Sequence, residues 1–332
     1  MQQRLARGEI RFIGWRIMDS VAVSAVVITH NRKDPVLRCL ESLKTSAYRP
    51  LEVLVVDNAS SDGTVQAIRT EFPDVRVICN ERNVLLAEAR NIGIREARGE
   101  FVFLVDDDNV IDTQTIGELA SLLASSRCIG MVGPVAHYLT APELVWSGGS
   151  WVDMATSLCR HVKERHIVHG ASPTWEVLCF PNAFMLQRSA VIKVGLFDSK
   201  RYPAAFCEAD LGARLRAAGY KALGTRKAKV YHDIPPPGTG PGGLMRRLHF
   251  RGAGDAGHVK SYLHGRNRLL FMKQHAGWRF WPFLLFLLWP LVSGYCGLSL
   301  LSGDLRPASQ YLRGVRDGIV AVFRNGKPVA RL

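Results

Sequence analysis

The sequence predicts an α/β protein: a doubly wound, mostly parallel sheet with helices on both faces, followed by a C-terminal helical region that associates with a membrane. Three observations carry this. From residue 21 onward, short apolar runs rich in Val, Ile and Leu alternate with stretches whose apolar residues recur at helical spacing. The connections between them are short, which favours parallel strands with crossover helices. Finally, an uncharged apolar run at 280–301 follows a strongly basic segment.

The first strand spans residues 21–29, and His30-Asn31-Arg32-Lys33 follows it as a polar loop. Asp34-Pro35 marks a helix start, with Asp as N-cap, and Val36, Leu40 and Leu43 share one face. A second strand at 51–56 ends in Asp57, and the capping loop Asn58 to Thr64 feeds a helix with Val65, Ile68 and Phe72 on one side. Residues 75–79 form the third strand, 85–97 the third helix and 101–105 the fourth strand. Ligands of such sheets bind in the crevice beyond the carboxyl ends of the strands. Thr29, Asn31, Asp57 and Asp106 to Asp108 all fall there.

The fourth strand runs directly into Asp106-Asp107-Asp108. Two carboxylates about 4 Å apart repel by about 4 kcal/mol at an effective dielectric near 20, so three together need open solvent or a cation. Hard carboxylate oxygens favour Mg2+ or Mn2+, which complete their shells with substrate phosphates. The alternative is a helix N-cap cluster.

Beyond the aspartates, 113–125 reads as a helix with Ile116, Leu119 and Leu123 inward, and 131–136 as a strand. From 142 to 173 the pattern loosens, and His161, His166 and His169 lie among charged residues, which predicts a solvated polar segment. Regular structure returns at 177–188 and 190–198. Cys207-Glu208-Ala209-Asp210 then opens a helix with Leu211, Leu215 and Ala218 on one face, stopped by Gly219. Its two carboxylates fit either a reacting site or dipole compensation in the first turn. Residues 221–231 read as a strand leading to His232, and the Gly/Pro segment after it is a lid or a linker. The chain thus divides into an N-terminal extension (1–20), an α/β domain (21–234), a Gly/Pro-rich loop or hinge (235–244) and a basic, apolar helical region (245–332).

A 47% hydrophobic content over 332 residues excludes a disordered chain, and a net charge of +14 implies an acidic partner. Seven cysteines, without a Cys-x-x-Cys pair, predict buried free thiols in a reducing compartment and exclude a zinc site or a disulfide framework. Arginines interrupt residues 1–20, so no signal peptide is expected there. As a straight helix, 280–301 would be about 33 Å long, enough to cross a hydrocarbon core of about 30 Å. Basic residues on both flanks place both ends on the cytoplasmic side, and Pro282, Pro290, Gly294 and Gly297 favour an interfacial or re-entrant hairpin. The expectation is a peripheral or monotopic protein on the cytoplasmic face of the membrane. A single span, or a helix buried in the protein or in a homo-oligomer interface, remains the alternative.

Four segments together resemble the signatures of family 2 inverting glycosyltransferases with the GT-A fold. They are Val26 to Arg32, Val55 to Thr64, Ala89-Arg90-Asn91-Ile92-Gly93 and Leu104 to Asp108, and the resemblance covers about 21–232. Gly195 to Asp198, Arg266-Asn267-Arg268 and Arg313 to Gly318 are similar to the rhamnosyltransferase-like branch. The resemblance implies that Thr29 and Asn31 line the nucleotide pocket, Asp57 accepts a hydrogen bond from the base, and Arg90 lies near the ribose and diphosphate. It also implies metal binding by Asp106, Asp108 and His232, with Asp106 oriented to ribose or metal. Asp107 either joins the nucleotide-sugar side or only caps the turn. The family's usual Glu-Asp pair corresponds to Cys207-Glu208, which makes Glu208 the base, with Asp210 orienting it or the acceptor. The implied partners are a nucleoside diphosphate sugar, UDP- or dTDP-linked first, a glycan or lipid-linked acceptor, and a membrane surface. Two other readings fit less well. A sugar nucleotidyltransferase should carry a Gly-rich loop after the first strand, and His30 to Lys33 has no glycine. A nucleic-acid-binding protein should interleave aromatics with its basic patch, whereas the aromatics here cluster in the uncharged run.

Overall fold

The computed structural model describes residues 22–164, 167, 170, 172–236, 255–301 and 303–324. The N-terminal extension, His166, His169, most of the Gly/Pro loop and Arg246, Arg247 and Arg251 lie outside the described residues.

Strands β1 (Val23–Thr29), β2 (Leu51–Asp57), β3 (Arg76–Cys79) and β4 (Phe101–Asp106) are parallel, and β1 lies between β2 and β4. Their register sets Thr29 beside Asp57 and Ile28 beside Asp106. The polar strand ends therefore meet at one edge. β5 (Asn109–Ile111), β6 (Ile129–Tyr138), β7 (Ala141–Ser147), β10 (Thr174–Val177), β11 (Ala183–Gln187) and β12 (Lys221–His232) extend the sheet. β11 runs antiparallel to β4, and the main order is β10-β12-β6-β11-β4-β1-β2-β3. A small hairpin, β8 (Ser150–Val152) with β9 (Cys159–His161), stands apart.

The sheet divides two apolar cores, as strand alternation requires. Val23, Ala25 and Val27 face one, with α1 (Lys33–Lys44) and α4 (Thr115–Ala124); Val26 and Ile28 face the other, with α3 (Leu85–Glu96) and α6 (Cys207–Ala217). α2 (Thr64–Glu71) and α5 (Arg188–Lys193) complete the layers. Gly93 lets α3 lie close on the sheet: a Cβ there would come within 2.2 Å of Val26 Cγ1. Asp34 differs from its expected place, because α1 begins at Lys33 without a side-chain cap and puts Asp34 in the first turn.

Three further helices, α7 (Asp255–His275), α8 (Gly277–Leu301) and α9 (Arg306–Phe323), pack on the second core. α7 and α9 approach closely through glycine: a Cβ on Gly314 would lie 2.1 Å from the Tyr262 carbonyl oxygen, and one on Gly265 would lie 2.5 Å from that of Tyr311. α8 is one continuous helix, which departs from the re-entrant hairpin, one of the two courses expected for it beside an interfacial one. Its first turns are tight, and a π-helical segment, Phe283–Leu287, follows Pro282. The missing proline N–H is absorbed by that wider turn, so the chain continues in one direction. Phe280, Phe283, Leu288, Val292 and Tyr295 are buried, whereas Trp278, Trp281, Leu285, Phe286 and Trp289 are exposed.

All seven cysteines are free. Burial holds for Cys39, Cys179 and Cys207, but Cys79, Cys128 and Cys159 are exposed, because they sit at strand ends or in a loop. His161 also departs from the solvated segment expected for it. Its Nδ1 lies 3.0 Å from Ser147 Oγ and 2.8 Å from Ser150 Oγ, and burial pushes its pKa down to about 4.

Replacing Gly314 by Ala forces α7 and α9 apart, because the contact is with a backbone carbonyl. Thermal unfolding in detergent should show a loss of about 1–3 kcal/mol. Gly294→Ala, whose Cβ meets nothing within 4 Å, should leave stability unchanged or slightly higher.

Candidate active site

The crevice is built on the turn from β4 into β5. The Asp106 amide donates to the Asn182 carbonyl at 3.0 Å, Asn182 Nδ2 donates to Asn109 Oδ1 at 2.6 Å, and Asn109 Nδ2 returns to the Asp106 carbonyl at 3.1 Å. This side-chain lacing fixes the three aspartates in three different surroundings.

Asp107 is turned inward. Thr29 Oγ1 donates to its Oδ2 at 2.7 Å and Arg32 Nε lies 3.4 Å from its Oδ1, so both oxygens are occupied by protein groups. Burial raises its pKa to about 7 despite Arg32 and Thr29. It braces the β1 loop against the β4 turn, a role beyond turn capping. Thr29 itself is buried in this bond. Asp108 faces Arg32 Nη2 at 3.2 Å and His232 Nε2 at 3.3 Å. Burial works against its charge, but His232 and Arg32 hold its pKa below the usual carboxylate value. The His232 ring is fixed edge-on by Trp146, 4.5 Å between centroids.

Asp106 is joined to Glu208 through Arg90. The guanidinium is 1% exposed, donates to Asp106 Oδ1 at 2.9 Å and to Glu208 Oε1 at 2.5 Å, and lies over Phe184 and Phe197 at 5.4 and 5.7 Å. Burial raises the Asp106 pKa to about 6, Arg90 opposing. The Arg90 pKa is driven up by Asp106 and Glu208 in spite of desolvation. The Cys207 thiol, itself raised by burial, donates to Glu208 Oε2 at 3.1 Å. Glu208 stands at the start of α6, after Phe206 in the left-handed conformation (φ 68°).

Asp57 is buried, and its Oδ2 accepts from the Ser60 amide at 2.9 Å while Oδ1 is buried with no partner among the described residues. That oxygen is placed to accept a donor such as the imide of a base. Asn31, at φ 52°, spends its polar groups on the neighbouring loop: its amide donates to Ser60 Oγ at 2.8 Å and its Oδ1 accepts from Ser61 at 2.7 Å. Asp210 lies apart from the crevice. Its side chain is 0% exposed and is held by Arg214 Nε and Nη2 at 2.8 Å, Gln274 Nε2 at 3.1 Å and His275 Nε2 at 2.9 Å. It fastens α6 to α7, in place of the expected role of orienting Glu208 or the acceptor.

A divalent cation fits this donor set in one specific way. Among the described residues no group of three carboxylate, imidazole or thiol side chains is arranged to hold an ion alone. Asp106 is engaged by Arg90, leaving the ionised Asp108 with His232 beside it. One or two hard carboxylate ligands completed by phosphate oxygens and water is the shell that Mg2+ or Mn2+ takes. Arg32, Trp146, Phe184 and Phe197 were given no site role from the sequence, although Arg32 and Phe197 lie in the family-like segments. Each acts through a long-range contact, and only the basic loop position of Arg32 offered a hint.

Residues 24–194, just over half of the chain, match Glycosyl transferase family 2. The chain belongs to this family. An uncharacterized glycosyltransferase of Haemophilus influenzae is 39% identical over 130 residues, covering 39% of this chain and 42% of that protein. The chain thus spans less than half of that relative's length. The N-acetylglucosaminyl-diphospho-decaprenol L-rhamnosyltransferase of Mycobacterium tuberculosis is 26% identical over 285 residues, 76% of this chain and 85% of the relative. The fold is similar to that of a mannosyltransferase from Pyrobaculum calidifontis solved with GDP-Man and Mn2+. The TM-score is 0.53, with 15% identity, covering 90% of this chain and 86% of that one. The glycosyltransferase core expected from the motifs is thereby shown, including its GT-A architecture.

Arg90→Met in this family 2 core leaves the half-buried Asp106 and Glu208 carboxylates without their cation. Urea unfolding should show a loss of about 1–3 kcal/mol, and an unchanged midpoint would refute the clamp.

Proposed function

We propose that the protein transfers a sugar, with inversion, from a nucleoside diphosphate sugar to a hydroxyl of a lipid-linked or membrane-proximal glycan. The observation that carries this reading is the Arg90 bridge, which puts the donor-side Asp106 and the acceptor-side Glu208 in one site. Glu208 takes the proton of the acceptor hydroxyl as its oxygen attacks the anomeric carbon, and the bond to the departing diphosphate breaks on the opposite face. Arg90 and the Cys207 thiol hold the Glu208 carboxylate in place until the acceptor hydroxyl displaces one of them. Asp57 receives the base, and Arg32 adds positive charge beside Asp108 at the diphosphate end. A divalent cation held by Asp108 with His232, Mn2+ or Mg2+, supplies charge neutralisation for the leaving diphosphate.

The acceptor side of the proposal rests on α8. By length and composition, Gly277–Leu301 is long and apolar enough to cross a membrane, and only 28% of its apolar window is buried. Its bare aromatic face is followed by Arg306, Arg313 and Arg316 and preceded by Lys260 and Lys273. Exposed Trp with flanking cations suits the interface of an anionic cytoplasmic leaflet. The mycobacterial relative is named for a diphospho-decaprenol acceptor, which supports the same class here. Flotation on vesicles with and without anionic lipid tests the membrane assignment, and a chain that stays at the bottom of the gradient sinks it.

Nucleoside diphosphate release should be screened over a panel of sugar nucleotides with manganese, uridine and thymidine donors first. One donor should give acceptor-dependent release, and Glu208→Gln should abolish it while calorimetric binding of the nucleotide persists. Equal turnover in that variant would remove Glu208 from the role of base. In Asp108→Ala the stimulation of donor binding by manganese should disappear, and chelation should have the same effect on the wild type. Donor binding by Asp108→Ala that still responds to manganese would place the cation elsewhere.

A further inference from the structure

Three arginines are buried among the described residues: Arg90, Arg266 and Arg268. Arg90 is paired with two carboxylates, and Arg266 donates to the Arg201 carbonyl and to Asn267 Oδ1, both at 2.8 Å. Arg268 differs. It is 5% exposed, its Nε is sealed from solvent without an acceptor, and among the described residues no hydrogen bond or ion pair engages its outer nitrogens. A guanidinium set this deep without a counter-charge is costly unless water or an anion reaches those outer nitrogens.

The surroundings offer this cation no relief. His264, one turn earlier on α7, is half-buried and kept neutral: desolvation, then the charges of Arg268 and Lys260, push its pKa down to about 3. The buried carboxylates nearby are already committed, Asp210 to Arg214, Gln274 and His275, and Asp317 to Tyr262 and Arg316. Among the described residues the junction is therefore positive and short of one anion.

Its location indicates which anion. His264, Arg268, Phe271 and His275 fall on one face of α7 at helical spacing. His264 and Phe271 stack against Phe206, at 6.2 and 5.3 Å, and Phe206 directly precedes Cys207 and Glu208. On its other side Arg268 acts electrostatically on Tyr311, whose ring is stacked at 4.2 Å on Tyr295 of α8. Arg268 is thus placed between the Glu208 loop and the apolar helix.

We infer that Arg268 is the binding residue for a phosphate or diphosphate ester on the acceptor, with the acceptor's sugar toward Glu208 and its hydrocarbon along α8. This rests on the lipid-linked acceptor proposed above. Phosphate oxygens match a guanidinium fork, and a phosphate placed here supplies the missing counter-charge.

The test uses the full chain in non-ionic detergent with EDTA, which silences cation-dependent diphosphate binding at Asp108, and needs no sugar nucleotide. Decyl diphosphate is titrated calorimetrically, with inorganic pyrophosphate and phosphatidylglycerol micelles as separate arms. Wild type should bind decyl diphosphate at least tenfold more tightly than pyrophosphate and than the phospholipid. Arg268→Gln should lose at least tenfold in affinity, while its ligand-free melting temperature equals or exceeds that of wild type. Arg268→Lys, which keeps the charge, should retain part of the binding and decides the matter where the Gln variant does not fold. Unchanged affinity in the variants overturns the site, as does a lower ligand-free melting temperature with binding intact, since that marks a structural role. Equal binding of pyrophosphate assigns free phosphate, and preference for phosphatidylglycerol assigns the bilayer; either overturns the acceptor assignment. Arg268-dependent binding together with a negative donor screen would retain the anion site and discard the transferase reading.

Discussion

The arrangement depends on one buried guanidinium. Arg90 lies between two carboxylates that come from different layers of the protein, one at the end of β4 and one at the start of α6. Its position is set by α3, which can approach the sheet only because Gly93 has no side chain to meet Val26. Phe184 and Phe197 then wall off the guanidinium, which strengthens its pull on both acids as water is excluded. Fold and site are thus joined at a single residue: the helix that packs the core is also the helix that delivers the cation.

The triple aspartate shows how three identical residues are made different by their neighbours. Asp107 is tied to Thr29 and Arg32 and raised by burial, Asp106 is paired with Arg90, and Asp108 has its pKa held down by His232 and Arg32. The mutual repulsion that suggested a cation is thus relieved in part by protein cations already present.

Much of this was legible in the chain. The strands end in polar residues because a parallel sheet gathers its carboxyl ends on one edge, so Thr29, Asp57 and Asp106 could be grouped from periodicity alone. The identity of Glu208 as the acid facing them required the family resemblance, since 118 residues separate it from Arg90. Asp210 was misplaced because a carboxylate in a first helical turn looks the same whether it faces a crevice or a neighbouring helix. Only the packing of Gln274 and His275 against it distinguishes the two. The continuous course of α8 was hidden for a similar reason: Pro282 signals a break, but a π turn accommodates it without reversing the chain.

The ties between α6 and α7 bear on where this protein can be cut. Asp210 is held by Gln274 and His275, Asn267 caps the Ala205 carbonyl, Arg266 caps that of Arg201, and the apolar core runs unbroken from the sheet into α7, α8 and α9. A truncation that removes the helices would strip four hydrogen-bond partners from the segment carrying Glu208 and open the core beneath it. The sheet layer that carries Glu208 and the helical layer thus share one apolar core among the described residues.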